Sequence, residues 1–205
     1  MRVLVFGDSI AYGAWDIEGG WAERLKKDAH QRTVDSSGSQ KVQVINLGIG
    51  GDSSTKILKR MENEAQARYS KSWPFIFIIS YGANDERSID GKVETSLEEF
   101  ESNSQAIINL AKKYSNKIVF VGAPPIRGAI VAFKGQEYSD ARLKEYEQVL
   151  NSIVVNAGIE FLKVRPAFEQ AGLETLYSYD NIHPNDKGHG LIYQTVKPKL
   201  EELLK

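Results

Sequence analysis

No cysteine occurs among the 205 residues, which removes disulfides, thiolate nucleophiles and cysteine-ligated zinc together. No apolar run approaches the roughly 20 residues of a membrane-spanning helix. Charge of one sign is also missing: 26 Lys and Arg stand against 27 Asp and Glu, a net charge of −1. Without a long run of either sign, the chain carries no electrostatic footprint for nucleic acid or a membrane surface. The expected partner is a small molecule. Met1 to Phe6 runs straight into Gly7-Asp8-Ser9 with no signal-length apolar segment and no cleavage site, so the expectation is a cytoplasmic protein. No internal repeat, low-complexity stretch or linker divides the sequence, and residues 1–205 are read as a single domain.

Short apolar runs rich in β-branched residues recur between longer amphipathic stretches. Val3 to Phe6, Val42 to Leu47, Phe75 to Ser80, Ile118 to Gly122 and Ile159 to Val164 read as five strands. Their apolar character is continuous rather than alternating, which predicts a parallel sheet covered on both faces. Helical spacing marks Trp21 to His30, Thr55 to Tyr69, Ser96 to Tyr114, Ser139 to Ala157 and Lys187 to Leu204. Asn185 is the expected cap of the last, with Asp186 in its first turn. A strict βαβα alternation follows, hence a doubly wound α/β domain with helices on both sides of the sheet, an α/β/α arrangement of three layers.

Four short signatures fall in the loops. Gly7-Asp8-Ser9 follows the first strand, Asn46 to Asp52 ends the second and carries Gly51, and Gly82-Ala83-Asn84-Asp85 follows the third. Asp180-Asn181-Ile182-His183 precedes the last helix. In an open α/β sheet ligands bind beyond the carboxyl ends of the strands, and all four signatures land on that edge. Serine becomes a nucleophile when a neighbouring base takes its proton, and histidine suits that task near neutral pH. Ser9 is the candidate nucleophile and His183 the base. Asp180, three residues earlier in a turn-forming segment, is placed to orient the imidazole. The backbone N–H groups of Ser9 and Gly51 and the side-chain amide of Asn84 are the candidate oxyanion donors. Asp8 and Asp85 are read as loop-fixing groups.

Competing motifs are poor. Gly48-Ile49-Gly50 lacks the final glycine of a dinucleotide fingerprint, no Gly-Lys-Ser/Thr phosphate loop occurs, and no serine sits in a Gly-x-Ser-x-Gly elbow. His189 with Asp180, His183 and Asp186 is the nearest approach to a metal set, but histidines six residues apart share a helical face badly, so no metal is expected. His30 is read as a solvated surface residue and Trp21 as packing.

Taken in order, the four signatures are similar to those of the GDSL, or SGNH, hydrolase family, whose blocks are named for serine, glycine, asparagine and histidine. Gly7-Asp8-Ser9 matches the first block, Asn46 with Gly51 the second, Gly82 with Asn84-Asp85 the third, and Asp180 with His183 the last. The resemblance implies a flavodoxin-like sheet of five parallel strands in the order 2-1-3-4-5. It also implies hydrolysis of carboxylic esters or thioesters through an acyl-enzyme on Ser9, without a cofactor. Short acyl or acetyl esters are the expected substrates. Carbohydrate O-deacetylation and lysophospholipase or thioesterase activity are the enzymatic alternatives, and a catalytically silent ligand-binding domain is the non-enzymatic one. After Ser9 the first block reads Ile10-Ala11-Tyr12-Gly13, where many relatives have Leu or Ile followed by Thr or Ser, a change beside the nucleophile.

Two apolar segments leave the same edge. Tyr12 and Trp15 follow the nucleophile, while Ile126, Arg127 and Phe133 follow the fourth strand. Ligand sites are mostly apolar with few polar groups, so these five are the candidate substrate-binding residues.

Overall fold

The computed structural model describes residues 1–127, 129–131 and 135–205, with the side chains of Ala129 and Val131 excepted. Five strands form its central sheet: β1 (Arg2–Gly7), β2 (Gln43–Gly48), β3 (Phe75–Ser80), β6 (Ile118–Val121) and β9 (Glu160–Leu162). All their pairings are parallel, in the order β2-β1-β3-β6-β9. Counted among the parallel strands alone, that is 2-1-3-4-5, with the order reversing beside β1.

Side chains of each strand alternate between two cores. Val3 and Val5 of β1, Ile76 and Ile78 of β3, and Val119 and Val121 of β6 enter one. There they meet α2 (Gly20–Asp35) through Trp21, Leu25 and Ala29, and α8 (Asp186–Leu203) through Ile192, Val196 and Leu200. Leu4, Phe6, Phe75, Phe77, Ile79 and Phe120 enter the other. Its cover is α3 (Ser54–Arg68), α5 (Leu97–Tyr114) and α6 (Asp140–Asn156), which contribute Ile57 and Met61, Phe100 and Ile107, and Tyr146 and Leu150. Burial on both faces explains why the strands read as unbroken apolar runs. Helix starts follow side-chain capping: Ser96 accepts from the N–H of Glu99, and Asn185 from those of Lys187 and Gly188.

The strict alternation expected from the sequence is interrupted. A second, antiparallel sheet contains β4 (Ser88–Ile89), β5 (Lys92–Val93), β7 (Ala129–Val131) and β8 (Gln136–Ser139), in the order β5-β4-β8-β7. Asp90 and Gly91 link its first two strands with φ values of 51° and 77°, the doubly left-handed two-residue turn that matches strand twist. Two-residue strands are too short to show periodicity, which is why apolar and polar patterning missed them. The segment after β6, where no strand is expected from the sequence, supplies β7. Helix α7 (Arg165–Ala171) is a further addition, with Pro166 in its first turn where a missing N–H costs nothing. Among the described residues no helix is long and apolar enough to cross a membrane.

Candidate active site

Ser9 opens α1 (Ser9–Tyr12), a single helical turn directly after β1. Asp8 caps it by accepting from the Ile10 N–H at 2.9 Å. Gly7 is required for close approach: a Cβ there would stand 2.5 Å from both the Ala11 Cβ and the Ser80 carbonyl oxygen. At the end of β2, Asn46 donates to the Ala11 carbonyl at 3.0 Å and accepts from the Gly48 N–H at 2.9 Å, tying this strand to the turn that carries Ser9.

His183 arrives from the opposite end of the chain. Its loop closes like a hairpin, with Tyr177 bridged to Pro184 and the Ser178 N–H donating to the His183 carbonyl at 2.9 Å. Asn181, with φ of 57°, makes the tight reversal. Asp180 Oδ1 then accepts from the N–H groups of Ile182 and His183, both at 3.0 Å. That turn presents Oδ2 to His183 Nδ1 at 2.6 Å, and His183 Nε2 lies 2.7 Å from Ser9 Oγ. Burial works against ionisation of Asp180, yet bonds from the His183 ring and from the two backbone N–H groups draw it down to about 2. An ionised carboxylate at Nδ1 requires the proton to sit on that nitrogen, which leaves Nε2 as the acceptor facing Ser9.

Gly51 takes φ of 79°, a left-handed conformation that favours glycine, and a Cβ there would meet no protein atom within 4 Å. Conformation, not lack of space within the protein, therefore demands glycine at this position. Asn84 donates one amide hydrogen to the Asp52 carbonyl at 3.0 Å, which fixes Nδ2 and leaves its second hydrogen available. Asp52 is clasped by Arg60 at 2.7 Å, and the same guanidinium reaches the Leu47 carbonyl at 2.6 Å. Asp85 receives the Ser54 N–H and hydroxyl, the latter at 2.6 Å, joining the loop after β3 to the start of α3.

A cavity of about 510 Å³ joins these groups. Ser9, Gly51, Asn84 and His183 line it together with two of the expected substrate contacts, Tyr12 and Trp15. Ile126 and Arg127 are not on its wall. Ile126 is buried with Tyr138, Leu143 and Ile182 in a small separate core. Arg127 pairs with Glu174 and donates to Asn181 Oδ1 at 3.0 Å, bracing the histidine loop from outside. Neither side chain touches the cavity that Ser9 lines. Phe133 lies outside the described residues. The cavity wall also includes Ile49, Arg87 and Tyr138, which motif reasoning missed. Ile49 lies inside the second signature and Arg87 two residues beyond the third, but Tyr138 carries no local signal.

His189 is fully buried in α8, and burial brings it down to about 4, so it is neutral. Among the described residues no group of three or more His, Cys, Asp or Glu side chains could hold a metal ion. Four acids bear the opposite effect: burial pushes Asp8 up to about 6, Asp85 and Glu86 each up to about 7, and raises Glu147. An acid whose folded value exceeds its unfolded one adds stability as pH falls through the folded value, whereas the depressed His189 subtracts it. With four acids against one imidazole and the N-terminal amine, which burial also lowers, the melting temperature is expected to climb as pH is lowered from about 8 to about 5. A flat or falling profile in a thermal-melt series would show that these carboxyls ionise freely in the fold.

A hydroxyl, an imidazole and a carboxylate thus stand in series at the carboxyl edge of a doubly wound sheet, the edge where such folds bind their ligands. The chain belongs to the GDSL-like lipase/acylhydrolase family, whose model matches residues 5–191. Among curated proteins no sequence matches it significantly. Solved structures share its fold. An alpha/beta hydrolase enzyme from the metagenome of Lake Arreo, Spain, superposes with a TM-score of 0.75 at 17% identity, over 98% of this chain and 95% of the other. A lipase/acylhydrolase from Enterococcus faecalis gives 0.73 at 20% identity, covering 100% and 97%. An acetylxylan esterase from Geobacillus stearothermophilus gives 0.73 at 18%, covering 97% and 93%.

Proposed function

We propose that this protein is a serine esterase for short acyl esters. The unbroken series Ser9–His183–Asp180, with hydrogen bonds of 2.7 and 2.6 Å, carries this reading. Ser9 Oγ attacks the ester carbonyl as its proton passes to His183 Nε2. The carbonyl oxygen takes the negative charge and is met by the Ser9 and Gly51 N–H groups and the Asn84 amide. Collapse expels the alcohol, which receives the proton from His183, and leaves the acyl group on Ser9. Water, deprotonated by the same nitrogen, then releases the acid and restores the hydroxyl. Asp180 holds the tautomer throughout and stabilises the transient imidazolium.

Acyl length is read from the polar groups in the cavity lining. Arg87 and Tyr138, both buried and bonded to one another, place a guanidinium and a phenol in the lining, so a long alkyl chain would meet polar groups there instead of apolar contact. Acetate and butyrate esters of p-nitrophenol are therefore expected to turn over with kcat/KM at least about tenfold above octanoate, a difference of about 1.4 kcal/mol in the transition state. Octanoate preferred over acetate would favour the lysophospholipase or thioesterase alternative instead. For the alcohol side, Tyr12, Trp15 and Tyr179 expose their rings at the mouth, at 61%, 56% and 79%, as a sugar-stacking rim would. Acetylated sugars are the second substrate class to assay. A folded protein inert toward every ester tried would leave the silent ligand-binding reading.

A further inference from the structure

An ionised carboxylate offers about four lone-pair positions, and Asp180 fills four. Oδ1 accepts the Ile182 and His183 N–H groups, both at 3.0 Å. Oδ2 accepts the His183 ring N–H at 2.6 Å and the indole N–H of Trp15 at 3.0 Å. Three of these donors belong to the carboxylate's own loop. The fourth comes from 165 residues earlier in the chain, from the turn that follows Ser9.

The indole nitrogen also lies 3.1 Å from His183 Nδ1. Protonated toward Asp180, that ring nitrogen has no lone pair to offer, so the charged oxygen is the acceptor, and bonds to charged acceptors are the stronger kind. Were the proton on Nε2 instead, Nδ1 would accept from the indole and Ser9 would face a donor, which cannot act as a base. The balance between these two arrangements is decided where Trp15, Asp180 and His183 meet.

Trp15 is held at that point by unusual means. Its φ of 66° is left-handed, a conformation that bulky side chains rarely adopt and that persists when the surroundings over-determine it. Those surroundings are the Ala14 N–H bonded to the Ser9 carbonyl at 2.9 Å and the Asp16 N–H bonded to that of Gly13 at 3.2 Å. Asp16 is itself paired with Arg24 at 2.9 Å. The indole ring meets the His183 ring edge-on at 6.0 Å and leans on Tyr179 at 5.9 Å. A side chain serving only as an exposed platform would need neither the inward N–H nor the left-handed backbone.

We infer that Trp15 is a positioning residue for the His183–Asp180 pair, its indole N–H locking the carboxylate so that Nδ1 keeps the proton and Nε2 stays the acceptor toward Ser9. The inference rests on the serine esterase reading, and its test separates the two. Trp15→Phe keeps an aromatic ring and deletes the N–H. With p-nitrophenyl acetate, kcat is expected to fall about tenfold, the scale of one hydrogen bond to a charged group, while KM moves less than about twofold. In long-range ¹H–¹⁵N spectra of the histidine rings, assigned with His183→Gln, the parent should show one Nδ1–H form of His183. The Trp15→Phe variant should show exchange-broadened or mixed signals. An unaltered His183 spectrum in a folded variant would overturn the inference, as would an unchanged kcat with a raised KM. The spectra decide the matter even if the parent hydrolyses no ester, an outcome that would instead defeat the esterase reading.

Discussion

Ser9→Ala is expected to lower kcat on p-nitrophenyl acetate about a millionfold, the scale at which loss of a serine nucleophile is measured in a studied protease. The size follows from the way the groups act as one unit. Without Oγ, His183 has nothing to deprotonate, and the oxyanion donors alone retain only a small residual acceleration over water. Folding should be untouched. Ser9 Oγ meets the His183 ring across the site, and the cap of its helix is made by Asp8. Turnover by the purified variant, compared at matched melting temperature, checks this. An active Ser9→Ala protein would sink the assignment of the nucleophile.

Asn84→Ala should cost about 10²- to 10³-fold in kcat, the measured effect of deleting one oxyanion donor elsewhere. The charge that this amide meets develops only as the carbonyl is attacked, so KM should barely move. Pre-organisation is what gives the amide its value. Its first hydrogen is spent on the Asp52 carbonyl, Asp52 is held by Arg60, and the phenol of Tyr138 approaches Asn84 Oδ1 at 3.4 Å. A loss seen in KM with kcat preserved would make Asn84 a ground-state binding residue.

The sheet was legible because Val3 to Phe6 and Phe75 to Ser80 are buried on both faces, and uniform burial writes itself into the chain as uninterrupted apolar residues. The candidate site was legible for a different reason. Ser9, Gly51 and Asn84 stand in short local signatures after strand ends, where topology brings them to one edge, and His183 stands in another just before the last helix. What stayed hidden depends on contacts between distant segments. Asp90-Gly91 does spell a hairpin turn, but its flanking strands are two residues each. Tyr138 reaches the cavity only through the pairing of β8 with β4, and Arg127 leaves it to join Glu174 and Asn181. The bond from Trp15 to Asp180 has no sequence pattern at all.

Among the described residues the small antiparallel sheet shares no ladder with the five parallel strands, yet it contributes Tyr138 to the wall of the cavity that Ser9 lines. On the esterase reading, part of the substrate wall thus comes from outside the parallel sheet while touching Asn84. The nucleophile, its base and the oxyanion loop are moored to the parallel scaffold. If Tyr138 helps to size the acyl group as proposed, that surface hangs on an appendage whose length and sequence leave the register of β1 to β3 untouched. Descendants of such a chain can drift from one ester to another by remodelling the appendage alone, and an engineer seeking a new acyl preference has the same lever.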